Sequence, residues 1–244
     1  MKRARYLWLV PMFLLVMVAA LYAQDALQQA DAAWLKRSAS DQYAYDAIKL
    51  YEQAGQAAPT NDVPWYQIAR AYQFLGRFAP AAAKDALFAK GMDAAKKALA
   101  VNPNSVGGHY WYSACLSRWL ESKGVTTKLK HLGELKSHLM AARKIDPAFF
   151  FGGPARVLGM IAFKSPLASN KEAIQYLHES LKYAPDYSLT LVNLGEVLIK
   201  EKQYVEAKQH LQKVLALSPL PGFERELADD QDLAKKLLAS IPAS

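Results

Sequence analysis

The chain has 244 residues, 52% of them hydrophobic, and a formal net charge of +8. This content can bury a substantial core, and twelve Gly and twelve Pro are too few for a low-complexity or disordered protein. Basic residues are interleaved with Glu and Asp, which argues against a nucleic-acid-binding protein. The single cysteine, Cys115, excludes an intramolecular disulfide and is interpreted as a small buried hydrophobe.

The N-terminal residues 1–23 have the layout of an export signal. A basic region precedes an apolar run over residues 6–21, and small residues surround a predicted cleavage point after Ala23. Because the run is short for a membrane span of about 20 residues, we favour a cleaved signal, with an uncleaved inner-membrane anchor as the alternative. Gln24 stands where a lipoprotein would carry its acylated cysteine. A periplasmic protein that is not a lipoprotein is therefore expected.

Downstream of this segment, apolar residues recur every three or four positions, which predicts helices. Residues 25–36 form the first predicted helix, and Ala47 and Pro59 mark its partner. The next first helix opens at Asp62, a natural N-cap. The pattern of its second helix comes about ten residues late, around Gly91.

The stretch from Ser188 to Pro219 can be assigned position by position to one helical hairpin. Small residues at Gly195 and Ala207 let the two backbones cross closely. The spacing resembles a tetratricopeptide repeat (TPR), whose period is about 34 residues. Prolines end the predicted units: Pro59, Pro103 and Pro147 follow one another at 44 residues, and Pro185 and Pro219, which bound the last unit, are 34 residues apart. Two lengthened repeats therefore precede a standard one.

An irregular unit separates these repeats, and a final helix follows them. The aromatic clusters Tyr110-Trp111-Tyr112 and Phe149 to Phe151 are interpreted as core packing, with a ligand-lined pore as the alternative. Gly152-Gly153-Pro154 is interpreted as a tight turn, with an anion site at a helix start beside Arg156 as the alternative. The last predicted helix covers residues 224–240 and packs through Leu227, Leu233, Leu237 and Leu238. We therefore predict an all-α fold, a solenoid of TPR-like helical hairpins in a right-handed superhelix with a C-terminal capping helix. Residues 24–244 are expected to form a single domain.

The sequence contains no motif for catalysis, and we predict that the chain is not an enzyme and needs no cofactor. It has no phosphate loop, no nucleophile elbow, no zinc-protease motif and no cysteine pair. His131 and His138 are two helical turns apart, about 10 Å, which is too far for one metal without other ligands. No metal site is therefore expected.

Binding residues are expected on the first helices, which line the concave surface of a TPR array. Arginine and tyrosine there supply directed donors and flat apolar area, suited to a partner's peptide or to an amphipathic ligand. The candidates are Tyr66, Arg70, Gln73, Tyr110, Trp111, Arg118, Arg156, Asn193 and Lys200. The basic segment 123–144 is interpreted as a solvated second-helix face, with contact to anionic lipid or an acidic partner as the alternative.

Several irregular features in fixed order carry a narrower resemblance. The lengthened repeats, Tyr110-Trp111, the run from Gly152 to Gly159, and Pro221-Gly222-Phe223 resemble the TPR component of periplasmic TRAP transporters, the TatT family. A more distant similarity is to the regulator of microtubule dynamics proteins. The TatT resemblance implies a periplasmic helical protein that pairs with a TRAP solute-binding protein, with homo-oligomeric rings and a hydrophobic ligand among its expected properties. Gln24 departs from the lipoprotein members of that family.

These observations predict a non-catalytic exported scaffold that binds a protein partner, favoured as the TRAP solute-binding protein. The first alternative is a carrier for a small hydrophobic or amphipathic ligand, which an interior lined by Tyr66, Tyr110 and Trp111 would favour. An open groove rich in Arg70, Arg118 and Lys200 would favour the partner-binding scaffold instead. The second alternative is an anchored scaffold for envelope assembly.

Overall fold

A computed structural model describes the backbone of residues 9–165 and 168–242, with side chains from Met17 onward. This described part contains eleven helices and no strand, which confirms the predicted all-α class. The helices are α1 (Leu9–Leu35), α2 (Asp41–Ala57), α3 (Val63–Phe78), α4 (Ala81–Val101), α5 (Val106–Glu121), α6 (Val125–Ile145), α7 (Phe149–Lys164), α8 (Asn170–Tyr183), α9 (Ser188–Lys200), α10 (Tyr204–Ala216) and α11 (Glu224–Ala239).

The chain divides into two compact units, one up to Trp119 and one from Leu120. The border falls inside α5. In the first unit α1 pairs with α2 and α3 with α4, and in the second α7 pairs with α8 and α9 with α10. The single domain expected over residues 24–244 stays a prediction.

Helix α1 is longer than the helix predicted at its position. It runs without a break from Leu9 to Leu35, across the predicted cleavage point, and Ala23 and Ala26 are buried. The basic region of the expected signal lies outside the described residues. Among those that are described, no helix is long and apolar enough to cross a membrane. Signal cleavage and export stay predictions.

The lengthened repeats owe their extra residues to their second helices. Helices α4 and α6 have 21 residues each, against 13 in α10 of the standard repeat. The predicted second-helix pattern around Gly91 is confirmed, because Gly91 is buried in α4, but the helix does not start late: it begins at Ala81, directly after Pro80. The added residues extend the helix toward its N-terminus, where the alanine-rich sequence favours helix.

The standard repeat forms as predicted. Helices α9 and α10 cross at Gly195, where an added Cβ would lie 2.7 Å from the Leu211 side chain, and Ala207 is fully buried. Helix α11 packs on both, as the predicted cap does. Its buried residues are Leu227, Asp230 and Ala234, and Leu237 and Leu238 pack against the same core as predicted, while Leu233 is 39% exposed. The assignment of Leu233 to the packing face was wrong, because the buried stripe follows positions i, i+3 and i+7 from Leu227.

The irregular unit changes direction at the start of α7. Phe150, Phe151 and Gly152 all have left-handed backbone angles, with φ of 45°, 61° and 69°. At Gly152 an added Cβ would lie 2.6 Å from the carbonyl oxygen of Ser180. The predicted turn therefore exists, but it begins two residues earlier and includes two phenylalanines.

Candidate partner-binding surfaces

Three predicted binding residues share one side of α3. Tyr66, Arg70 and Gln73 occupy positions i, i+4 and i+7, which superimpose on one helical face. All three side chains are partly exposed. The structure therefore brings these three residues together as expected. We call them the α3 face.

The arginine of this face is held against an aromatic ring. Its guanidinium carbon lies 4.8 Å from the ring centroid of Trp34 in α1, and its Nη1 donates to Gln67 Oε1 at 3.4 Å. Such a contact contributes about 0.5–2 kcal/mol, increasing as the cation is desolvated. Arg70 is therefore already ordered, and binding a partner carboxylate would cost little further side-chain entropy.

A second arginine approaches the same tryptophan, and the sequence interpretation missed it. Arg37 is 0% exposed, its guanidinium carbon is 4.2 Å from the Trp34 ring, and its Nη1 donates to the carbonyl oxygen of Trp34 at 3.2 Å. Phe74 packs edge-on against Trp34 with ring centroids 5.6 Å apart. We call Trp34, Arg37, Arg70 and Phe74 the Trp34 stack. The i, i+3 spacing of Trp34 and Arg37 was the signal available in the sequence.

Tyrosine hydroxyl groups lie beside the stack. Tyr51 of α2 donates to Asp31 Oδ1 of α1 at 2.6 Å. Burial, reinforced by this hydrogen bond, raises the pKa of Tyr51. Burial, and then the charge of Asp62, raises the pKa of Tyr66. Both hydroxyls consequently remain protonated donors around neutral pH.

The α5 candidates are placed differently. Tyr110 is 0% and Trp111 3% exposed, and their rings meet edge-to-face with centroids 4.8 Å apart. These two side chains belong to the core of the first unit, which confirms the core-packing interpretation of their cluster and corrects their inclusion among the exposed binding candidates. Arg118, near the end of the helix, is partly exposed. Any binding role for these residues stays a prediction.

The three candidates in the second unit do not share a surface. Arg156 in α7 is largely buried, with its guanidinium carbon 6.0 Å from the Tyr187 ring, and Asn193 in α9 is also buried. Lys200, at the C-terminal end of α9, is exposed. Only Lys200 is open to a partner.

An aromatic cluster, which was not predicted as a unit, forms around the left-handed turn. Phe151 stacks on Tyr187 with centroids 4.4 Å apart, and both Phe150 and Phe151 approach Phe223. We call Phe150, Phe151, Tyr187 and Phe223 the Phe151 cluster. A cavity of about 40 Å³ beside Tyr187 and Phe223 holds one or two waters at most. This cavity is therefore too small for an organic ligand.

The single cysteine is part of the core. Cys115 is fully buried, as interpreted from the sequence, and burial raises the pKa of its thiol. Within the described ranges, no group of three or more His, Cys, Asp or Glu side chains is arranged to hold a metal ion.

The hairpin architecture defines the chain as a TPR-repeat protein, and a tetratricopeptide repeat model matches residues 169–221. This confirms the TPR resemblance. A second model, regulator of microtubule dynamics protein 1-3, matches residues 26–151. That match covers more than half of the chain, and the chain belongs to this family.

Curated relatives agree with this assignment. Regulator of microtubule dynamics protein 1 of Pongo abelii is 24% identical over 93% of this chain and 75% of its own length. The Bos taurus protein of the same name is 24% identical over 72% of this chain and 60% of its own length. The chain thus spans only part of each relative.

Solved structures share the fold. A thermophilic TPR protein of Thermus thermophilus matches with a TM-score of 0.67 and 18% identity, over 89% of this chain and 99% of its own. Pseudomonas aeruginosa pilF matches with a TM-score of 0.57 and 16% identity, over 90% of each chain. At these identities the likeness extends to the fold, which is typically a non-catalytic interaction scaffold.

Proposed function

We propose that the chain is a non-catalytic scaffold that binds a protein partner through the α3 face. The observation that carries the proposal is the partly exposed row of Tyr66, Arg70 and Gln73, with Arg70 held 4.8 Å from Trp34. A fixed guanidinium between a tyrosine and an amide suits a peptide that offers a carboxylate and an apolar side chain.

The carrier alternative has less support. It depends on Tyr66, Tyr110 and Trp111 lining a ligand chamber, yet Tyr110 and Trp111 pack against each other in the core. The open and charged character of Arg70 fits a polar partner surface better than it fits a buried lipid tail.

For the identity of the partner, we propose the solute-binding protein of a TRAP-type transporter, met in the periplasm after signal cleavage. The support is the lengthened repeats on which the TatT resemblance rests, and α4 and α6 have 21 residues each. The name of the curated relatives suggests a competing partner, a component of microtubules. Both partners are consistent with a TPR scaffold, and one experiment separates them.

The experiment is affinity capture of the full chain, tagged at its C-terminus, from a periplasmic extract of its native cells. Mass spectrometry identifies co-purifying proteins and small molecules, and N-terminal sequencing shows whether the chain starts at Gln24. We expect a solute-binding protein that is lost with Arg70→Ala or Arg118→Ala. Lys49→Ala, which removes an exposed side chain of α2, is the matched control and should retain the solute-binding protein.

Two results would contradict the proposal. Recovery of a lipid-like molecule and no protein would favour the carrier. Retention of the same partner by both arginine variants would show that the partner binds to a different surface of the chain. Co-sedimentation with purified microtubules, lost with Arg70→Ala, would keep the scaffold and replace the TRAP partner.

A further inference from the structure

The outward side of α6 is unusual for a solvated helix. Its inward side buries Leu135, Leu139 and Ala142. On the outward side, Val125 is 72%, Leu129 56% and Met140 46% exposed. These three, with Gly133, Lys136 and Lys144, fall within an arc of about 100° around the helix. We call these six residues the α6 face. It combines a broken apolar stripe with lysines.

The lysines of this helix are available to a partner. Lys128, Lys130 and Lys144 are exposed, Lys136 is partly exposed, and within the described part of the chain none of the four ammonium groups forms a salt bridge. The nearby acids are already engaged, since Glu134 meets His131 at 3.0 Å and Glu179 holds Arg143 through two contacts of 2.7 Å. The α6 face therefore has a net positive charge that an acidic surface would complement.

Gly133 lies in the middle of this face, and the chain's own packing does not need it. An added Cβ there would meet nothing within 4 Å. A glycine in a helix interior costs about 0.5–1 kcal/mol relative to alanine, so it weakens α6 without serving a contact within the fold. A missing side chain on an exposed helix does allow a second helix to approach closely, because interaxial distance depends on the residues at the crossing.

The face continues into a groove at its C-terminal end. Met140, Lys144, Pro147 and Tyr183 are among the residues around a volume of about 570 Å³, above the Arg143–Glu179 ion pair. That volume lies within the range of small-ligand and side-chain pockets. The groove has room for apolar side chains of a partner beside the ammonium group of Lys144.

We propose that the α6 face docks an acidic amphipathic helix of a partner protein, which crosses α6 at Gly133 and inserts apolar side chains into the groove. This surface is separate from the α3 face, and the proposal does not rest on the proposed function. A membrane surface fits less well, because a bilayer gains nothing from Gly133 and the exposed apolar side chains are separated by Lys136. The lysines of α6 are exposed or partly exposed, as the interpretation of a solvated face requires, and the proposal takes up its alternative of an acidic partner.

The test uses a fluorescein-labelled helical peptide matched to α6 in length, with a leucine stripe flanked by glutamates. Fluorescence anisotropy measures its binding to the full chain, with a lysine-flanked peptide and a scrambled peptide as comparisons. We expect the double variant Lys136→Glu/Lys144→Glu to weaken binding about tenfold or more at low salt. Lys171→Glu/Lys208→Glu makes the same charge change on α8 and α10 and should leave most of the binding intact.

Gly133 supplies the discriminating variant. Gly133→Ala should raise the melting temperature, because alanine favours helix more than glycine does. Gly133→Leu should still fold, because a side chain added at this position meets nothing within 4 Å of its Cβ. Both should weaken peptide binding, Gly133→Leu by about tenfold, because the added side chain separates the helix axes. A variant that is more stable and yet binds less tightly is not explained by damage to the fold.

Three results would overturn the proposal. The first is no binding of the acidic peptide, or equal binding of both double variants. The second is full binding by Gly133→Leu. The third is binding to vesicles of equimolar phosphatidylserine and phosphatidylcholine that needs Lys136 and Lys144, with no binding of the peptide, which would assign the α6 face to a membrane.

Discussion

In the first unit, the Trp34 stack joins side chains of α1 and α3 with Arg37 from the turn after α1. In the second unit, two members of the Phe151 cluster have left-handed backbone angles. Each site has a largely buried arginine beside an aromatic ring: the guanidinium carbon of Arg37 is 4.2 Å from the Trp34 ring, and that of Arg156 is 6.0 Å from the Tyr187 ring. The two sites therefore use the same side-chain chemistry on different backbones.

The difference shows where each arrangement gets its stability. Arg37 lies in the turn after α1, three residues beyond Trp34, and both its backbone N–H and its Nη1 donate to the carbonyl oxygen of Trp34 at 3.2 Å. Left-handed geometry costs about 1–2 kcal/mol for each non-glycine residue, so Phe150 and Phe151 must be held by contacts distant in sequence, with Tyr187 and Phe223. The Trp34–Arg37 pair is therefore set by a local turn, although Arg70 and Phe74 reach it from α3, whereas the left-handed turn of the second site depends wholly on tertiary packing.

The largest expected loss of stability follows from substituting Gly152 in the turn of the second site. Gly152→Ala adds a Cβ 2.6 Å from the Ser180 carbonyl oxygen at a φ of 69°. Left-handed strain and overpacking together should lower the free energy of unfolding by about 2–5 kcal/mol. Urea denaturation followed by circular dichroism measures the change. Gly133→Ala, into open space, is the control and should stabilise the chain. A loss at Gly152 below about 1 kcal/mol would mean that the turn is not constrained as described.

The corresponding change in the first site is Arg37→Ala. It removes a fully buried side chain and its contact with Trp34, and should lower the free energy of unfolding by about 2–3 kcal/mol. All five tryptophans lie at or before position 119, so tryptophan fluorescence during denaturation follows this unit. Arg37→Lys keeps the charge without the flat guanidinium and should lose about half as much. Equal losses in both variants would assign the effect to the lost guanidinium packing alone, with no contribution from the charge.

Elements with regular helical spacing could be predicted from the sequence, whereas the turn that depends on tertiary contacts could not. The α9–α10 hairpin could be predicted because Gly195, Ala207 and Leu211 have repeat spacing, and the α3 face could be predicted because Tyr66, Arg70 and Gln73 recur every three or four residues. The left-handed angles of Phe150 and Phe151 could not, because nothing local favours them.

Other misses have identifiable physical causes. The start of α4 at Ala81 was signalled by Pro80 and the alanine-rich run after it, but the repeat register placed the helix later. Tyr110 and Trp111 were interpreted as core residues and also kept as binding candidates, because three consecutive aromatic residues cover most of a helix circumference and spacing cannot distinguish the core side. Arg37 was missed because arginine is almost never fully buried.

A smaller loss of stability is expected when the hydrogen bond between Tyr51 and Asp31 in the first unit is removed. Tyr51→Phe removes the 2.6 Å hydrogen bond to Asp31 and should lower the free energy of unfolding by about 1 kcal/mol, since the exposed Asp31 can be resolvated. Asp31→Asn retains an acceptor oxygen and should cost less. Thermal denaturation of both variants measures the order, and a larger loss for Asp31→Asn would contradict the assigned bond.

The smallest effect is a pH dependence in the second unit. Burial lowers the pKa of His210, which also faces Glu206, His178 and Lys213. The unfolded chain then binds the proton more readily, so the contribution of this group to stability is full above a pH of about 6.5 and declines as the pH falls. Urea denaturation between neutral and mildly acidic pH should show a smaller decline for His210→Gln. Identical slopes would exclude His210 as a source.

The central claim, that the α3 face binds a protein, is tested most directly by photo-crosslinking in native cells. A benzoylphenylalanine at Gln73, within the face, is compared with one at Lys49 on α2, and the adducts are identified by mass spectrometry. We expect one dominant protein adduct at position 73 that Arg70→Ala removes, and none of it at position 49. Equal adducts at both positions, or a lipid adduct alone at position 73, would show that the α3 face does not bind a protein.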